Sequence, residues 1–170
     1  VRVARAASGG TTTSYGTAVK VNDTGGWTSG VGGLDVDLIT NNKALVTAQD
    51  EDDSNKGKAY VITISGTPAT SVSVGTAATY EADATAWSTV AADRFTADKY
   101  VIVYDHTGDG EIQAKVCSVS GTTPSFGSAA VVADMSDYSG VTDIFYPYVE
   151  ADPFNTGRYL VAWNLYNSTS

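Results

Sequence analysis

The chain has 170 residues, 42% hydrophobic and 17% charged, with 10 Lys and Arg against 19 Asp and Glu for a net charge of −9. That length and apolar content suffice for a buried core, while the acidic balance, with no cluster of Lys or Arg, speaks against nucleic acid and against an anionic membrane surface as partners. One cysteine, Cys117, excludes an intrachain disulfide framework, and no stretch is long and apolar enough to insert into a bilayer.

In chain order the elements are short runs rich in Val, Ile, Thr and Tyr, separated by Gly, Asn, Asp and Ser, and no window carries a helical period. The first run spans residues 1–8 and leads to Ser14-Tyr-Gly-Thr-Ala18. Residues 37–50 then present Asp37, an apolar residue two positions on, a short turn, Lys43 and an apolar run; the same order returns from Asp93 through Lys99 and from Asp152 through Arg158. Between these blocks the runs 57–66 and 111–121 each close on Ser-Gly, and Ser73-Val-Gly-Thr-Ala77 and Ser125-Phe-Gly-Ser-Ala129 repeat the element first seen at Ser14.

The repeated Asp residues are spaced 56 and 59 apart, a period that signals a solenoid, propeller or array. Each unit offers four strands, A to D. Strand B of the middle unit, Tyr100-Val-Ile-Val-Tyr104, is apolar on both alternating faces, so both faces should be covered. The expected fold is therefore all-β: twelve strands in β-propeller-type four-stranded blades, three circularly permuted repeats of about 55–59 residues. The divisions are a half blade at 1–21, blades at 34–83 and 88–135, and a half blade at 144–170. The chain opens in a strand C and ends after a strand B, so one copy's end is in phase with another's beginning. That phase points to other copies of the chain, or the flanking blades of a longer one, as partners; the Val at position 1 suggests processing or a segment of something longer.

Four groups of residues are candidate sites. The loop from Asp105 to Glu111 carries oxygen donors at Asp105, Thr107 and Asp109 followed by Gly110, the opening of a calcium loop; it lacks the later carboxylate of the full motif, and a plain polar hairpin turn explains the same residues. Trp27, Trp87 and Tyr138 lie between strands D and A, either as platforms for sugar rings or as wedges between units. Asp37, Asp93 and Asp152 preserve the repeat, which favours turn capping or pairing with Lys43, Lys99 and Arg158 over catalysis. His106, the single histidine, has no nucleophile placed beside it by any motif, and the sequence shows no symmetry-breaking group of carboxylates and bases.

The elements Tyr100–Asp105, Ala114–Val116, Ser120–Thr122 and Ser125–Ser128 resemble blade repeats of large phage-associated and bacterial surface proteins. The resemblance covers essentially the whole chain and carries no catalytic motif. It implies a non-enzymatic propeller on a cell or virion exterior, serving as a structural, assembly or attachment module without a required cofactor. Two other functions are compatible with such a fold: a repeat lectin that binds surface glycans between blades, and a propeller-fold glycan hydrolase.

Overall fold

The computed structural model describes residues 4–6, 13–15, 17–19, 21, 34–40, 42–66 and 71–167. Among them the fold is all-β, with two single 3-10 turns and no α-helix. A short hairpin, β1 (Ala4–Ala6) with β2 (Thr13–Tyr15), precedes the main sheet. The main sheet contains β3 (Asp35–Thr40), β4 (Lys43–Asp50), β5 (Lys56–Ser65), β6 (Ser71–Val74), β7 (Ala78–Ala92), β8 (Lys99–His106), β9 (Glu111–Ser120), β10 (Thr123–Phe126) and β11 (Ala130–Asp134). A closing hairpin pairs β12 (Asp143–Ala151) with β13 (Tyr159–Tyr166).

Every pairing is antiparallel, and the sequence repeat is visible in the ladders. Strands β3, β4 and β5 form one meander, with β6 and the first half of β7 sharing the outer edge of β5. The second half of β7 begins a second meander through β8 and β9, whose outer edge is shared by β10 and β11. Strand β7 is thus outermost in one unit and innermost in the next. Its 15 residues join the two meanders into a single nine-stranded sheet, where separate units had been expected. The described strands do not close into a ring.

The strand count also differs from the expected twelve, for a local reason. Strand D of each full unit is split at the repeated glycine: Gly75 separates β6 from β7, and Gly127 separates β10 from β11. At each break the glycine N–H turns inward, Gly75 to the Val61 carbonyl at 2.8 Å and Gly127 to the Val116 carbonyl at 2.9 Å. A Cβ on Gly75 would stand 2.8 Å from the backbone oxygen of Thr122, so this position needs glycine for the approach of the next unit. Two splits and one fusion turn twelve runs into thirteen strands among the described residues.

The repeated Ser-Gly closures have a backbone cause. Gly66 (φ 98°) and Gly121 (φ 62°) adopt the left-handed conformation that ends strand C at no steric cost. In the A-to-B turns, Asp98 (φ 58°) and Gly157 (φ 69°) occupy the corresponding left-handed position.

Packing follows the faces of the strands. Tyr100, Ile102 and Tyr104 point into one cluster with Leu45, Ala59 and Val61 of the first meander, and Val101 and Val103 point into another with Ile144, Val149 and Ala151 of β12. The middle unit is therefore covered on both faces, as the alternation in β8 predicts. A third cluster of Ala44, Val46, Ala48, Tyr60 and Ile62 lines the outer face of the first meander, with Val21 packed against it. Cys117 is buried in the first of these clusters, and burial pushes its thiol up to about 12, which leaves it an inert apolar filler.

Gly57, opposite the buried ring of Tyr80, is the tightest point. A Cβ there would fall 2.3 Å from two ring carbons of Tyr80, which in turn packs on Tyr104 and Phe126 with centroids 5.2 and 6.2 Å away. Glycine to alanine within a strand ordinarily stabilises; here Gly57→Ala is expected to destabilise by roughly 1–3 kcal/mol through overpacking, read from urea denaturation midpoints.

Candidate functional site

The joints between units carry most of the polar chemistry. Asp35 and Asp37 on β3 reach across to the free inner edge of β7: Asp35 Oδ2 accepts from the Thr89 hydroxyl at 2.6 Å and the Val90 N–H at 2.9 Å, and Asp37 Oδ2 accepts from the Ala92 N–H at 2.8 Å. These carboxylates satisfy strand amides that have no strand partner among the described residues. Asp93 continues the device one unit on. Its Oδ1 caps its own turn at the Phe95 and Thr96 amides, while Oδ2 accepts from the Gly157 N–H at 2.8 Å and the Thr156 hydroxyl at 3.1 Å of the last hairpin. These bonds, led by that of Phe95, outweigh partial burial and hold the Asp93 carboxyl below the ordinary range.

The three repeated aspartates thus do not share one job. Asp93 and Asp152 cap their turns, the latter through the Phe154 and Asn155 amides, but Asp37 bonds across units instead. The first hairpin is tighter, with Thr40 facing Lys43, so Asp37 lies further from its turn. The expected basic partners hold in one case only: Arg158 pairs with Asp152 at 3.4 Å, whereas Lys43 pairs with Asp98 and Lys99 with the Ser118 hydroxyl.

Trp87 sits in a bulge of β7 between Thr85 and Ser88, and Tyr146 in a bulge of β12 between Phe145 and Tyr148. Each lies six residues before its aspartate, so Tyr146, not Tyr138, is the positional counterpart of Trp87. The two rings lie 4.2 Å apart between centroids, with Phe145 4.6 Å from Tyr146 and 6.1 Å from Trp87. Trp87 therefore spends a face on the neighbouring unit. Tyr146 is 49% exposed and has φ 53°, a strained backbone for a bulky residue. Tyr138 ends the 3-10 turn Met135–Asp137, donates its N–H to the Met135 carbonyl and packs on the cluster around Ile144. Trp27 lies outside the described residues.

The β8–β9 loop is a tight turn, in which the Asp109 and Gly110 amides both donate to the His106 carbonyl. Its three oxygen donors diverge. Asp105 is buried at 5% exposure within β8; the Thr107 hydroxyl donates to the Ala84 carbonyl at 2.9 Å; and Asp109 lies 3.2 Å from His106 Nδ1.

A cluster that the sequence did not suggest forms beside that loop. The first half of β7 brings Glu81 and Asp83 to the end of β8, where one ligand atom each from Glu81, Asp83 and His106 lie within 4.8 Å of one another. Glu81 is held firmly: Oε1 accepts from the Ala82 and Asp83 amides, and Oε2 from the Tyr104 hydroxyl at 2.8 Å and Lys115 Nζ at 3.0 Å. Burial acts to raise its pKa, but the Lys115 ammonium, the Asp83 amide and the Tyr104 hydroxyl outweigh it and hold the carboxyl at about 2. Gln113, bonded to Glu111 and within 2.9 Å of the same hydroxyl, completes the network. No motif could reveal this cluster, because Glu81 and Asp83 come from the outer strand of one unit and His106 from the next.

Burial pushes the Asp105 carboxyl up to about 7, with Asp143 adding repulsion and His106 opposing it. The folded chain holds this proton more tightly than the unfolded chain. Asp105 therefore contributes full stability below about 4 and progressively less as pH rises to 7. Asp105→Asn, which has no charge to bury, is expected to melt above the parent at pH 8, with the gain shrinking toward pH 4 in a calorimetric series.

The outer face of the closing hairpin is apolar and open among the described residues, whereas on the outer face of the first meander the cluster around Val46 is buried and only the edge strand is exposed. On β12–β13, Tyr148 faces Ala162 and Glu150 faces Leu160 on the outer side, and Tyr148 and Leu160 are both well exposed. On β3, Val36 and Leu38 lie exposed on the outer face of the first meander, on the same side as Ala44 and Val46. Comparison with known proteins adds no relative to this geometry: no family model matches the chain, and neither a curated protein nor a solved structure matches it.

Proposed function

We propose that the chain is a non-enzymatic assembly module, built of propeller-type blades, that joins other copies of itself end to end on the exterior of a cell or virion. The observation that carries this reading is the exposed apolar face of the β12–β13 hairpin beside an unpaired strand edge. The outer face of β12 and β13 is exposed at Tyr148 and Leu160, and among the described residues the edge of β13 away from β12 has no partner. The first described hairpin, β1–β2, corresponds in sequence order to the third and fourth strands of a four-stranded unit. An unpaired strand edge beside apolar surface is a template for another chain. Two copies would hold six units, within the four to eight that propellers use, and copies that fail to close would form a filament.

Light scattering on the isolated chain at micromolar concentration tests this. A dimer or larger assembly is expected, and Leu160→Glu, which places a charge on the exposed face of β13, should return it to monomer with an unchanged β circular dichroism spectrum. A folded parent chain that stays monomeric would overturn the reading.

One observation favours a second reading, a lectin. Tyr146 presents an exposed ring next to Trp87, and an aromatic face beside polar groups suits a sugar ring. A glycan array decides: specific binding that Tyr146→Ala removes supports it, and a blank array does not.

A further inference from the structure

We propose, resting on the end-to-end reading, that the exposed face of the β12–β13 hairpin is covered by β3 of a second copy of the chain, seated through Val36 and Leu38. Two joints of the same kind lie within one chain. In each, the first strand of a unit packs across the first two strands of the unit before it: the second half of β7 lies across β3 and β4, and β12 across β7 and β8. Strand β3 is the equivalent of β12 and of that half of β7.

The ladders fix which residues correspond. Val36 and Leu38 face Val46 and Ala44, just as Val90 and Ala92 face Ile102 and Tyr100, and Val149 and Ala151 face Val161 and Tyr159. Val90, Ala92, Val149 and Ala151 are the residues that the two joints bury, none of them more than 4% exposed; Val36 and Leu38 are 54% and 53% exposed. On the receiving side the order is reversed. Leu45 and Thr47 on β4 are buried, as are Val101 and Val103 on β8, but their equivalents on β13, Leu160 and Ala162, are exposed, Leu160 to 73%. Among the described residues each open surface therefore carries one half of an internal joint.

The two halves also match in width and in polar groups. Ala44 and Val46 of β4 are buried with Val21 packed against their cluster, so β3 is a single open strand, and a single strand is what each internal joint seats. At the first joint Asp35 and Asp37 accept from the Val90 and Ala92 amides. Tyr148 and Glu150 hold the same ladder places on β12, facing Ala162 and Leu160 as Asp35 and Asp37 face Thr47 and Leu45. Glu150 would thus stand where Asp37 stands, and the Leu38 amide of the second copy, which bonds to its own Asp37 Oδ1 at 2.7 Å, corresponds to that of Ala92. Two β12–β13 faces set against each other would instead bring the Glu150 carboxylates of both copies into one apolar contact, a cost without compensation. The heterologous contact, one face on a different face, avoids it.

Complementation between two variants tests the seat. Leu160→Glu spoils the β13 face and keeps β3; Val36→Glu does the reverse. Each is measured alone and in an equimolar mixture by light scattering and native mass spectrometry. Alone, each is expected to be a monomer with the parent's β circular dichroism spectrum, and the mixture is expected to form a one-to-one heterodimer through its single intact joint, adding no third copy. Both positions are exposed, so neither charge enters the core, and Leu38→Glu repeats the β3 arm should Val36→Glu fold poorly. A parent that assembles while Val36→Glu and Leu38→Glu assemble equally well would overturn the β3 seat and leave the end-to-end reading standing, and so would a mixture that yields no heterodimer. A folded parent that stays monomeric would overturn both.

Discussion

The burial of strand β8 on both faces governs everything around it. A strand with Tyr100, Ile102 and Tyr104 on one side and Val101 and Val103 on the other cannot sit at a surface. At about 25 cal/mol per Å² of apolar surface, either face left open would forfeit several kcal/mol, a large share of a domain's net stability. Apolar layers must therefore flank it on both sides. The first meander covers one face and the β12–β13 hairpin the other.

Packing one meander against the next creates a difficulty at the joints, where the chain must leave one meander and enter the other. Strand β7 solves it by continuing through, pairing first with β5 and then with β8, with bulges marking the change. Among the described residues the inner edge of its second half lacks a strand neighbour, and the carboxylates of Asp35 and Asp37 take up the amides there. Asp93 does the same for the turn at Thr156 and Gly157. Apolar faces thus provide the cohesion between units while carboxylate–amide bonds set their register, because an amide left unpaired in a joint costs more than the bond itself returns.

The same stacking explains why chemistry gathers at the joint between β7 and β8. Residues placed there face a partner unit instead of water, so Glu81, Tyr104, Gln113 and Lys115 must satisfy one another. His106 is the member of this set whose bonding is incomplete. The outer face of the closing hairpin has the converse property: it carries Tyr148 and Leu160 and is open among the described residues.

Alternation and punctuation within single segments settled the local architecture in advance. The two-sided strand at Tyr100–Tyr104 and the glycine-terminated strands at Gly66 and Gly121 both depend on neighbours in sequence, through the period-2 geometry of a strand and the freedom of glycine at positive φ. What depended on partners distant in sequence was not legible. The fusion through β7, the split of strand D at Gly75 and Gly127, and the divergence of Asp37 from Asp93 and Asp152 all arise from which edge each segment pairs with. The match of Trp87 to Tyr146 was present in the shared spacing to the aspartate, but the bulges that make the two positions equivalent exist only in the paired ladder. The cluster of Glu81, Asp83 and His106 left no trace of any kind in the sequence, because a strand ending in one unit and a strand ending in the next meet only when the sheets stack.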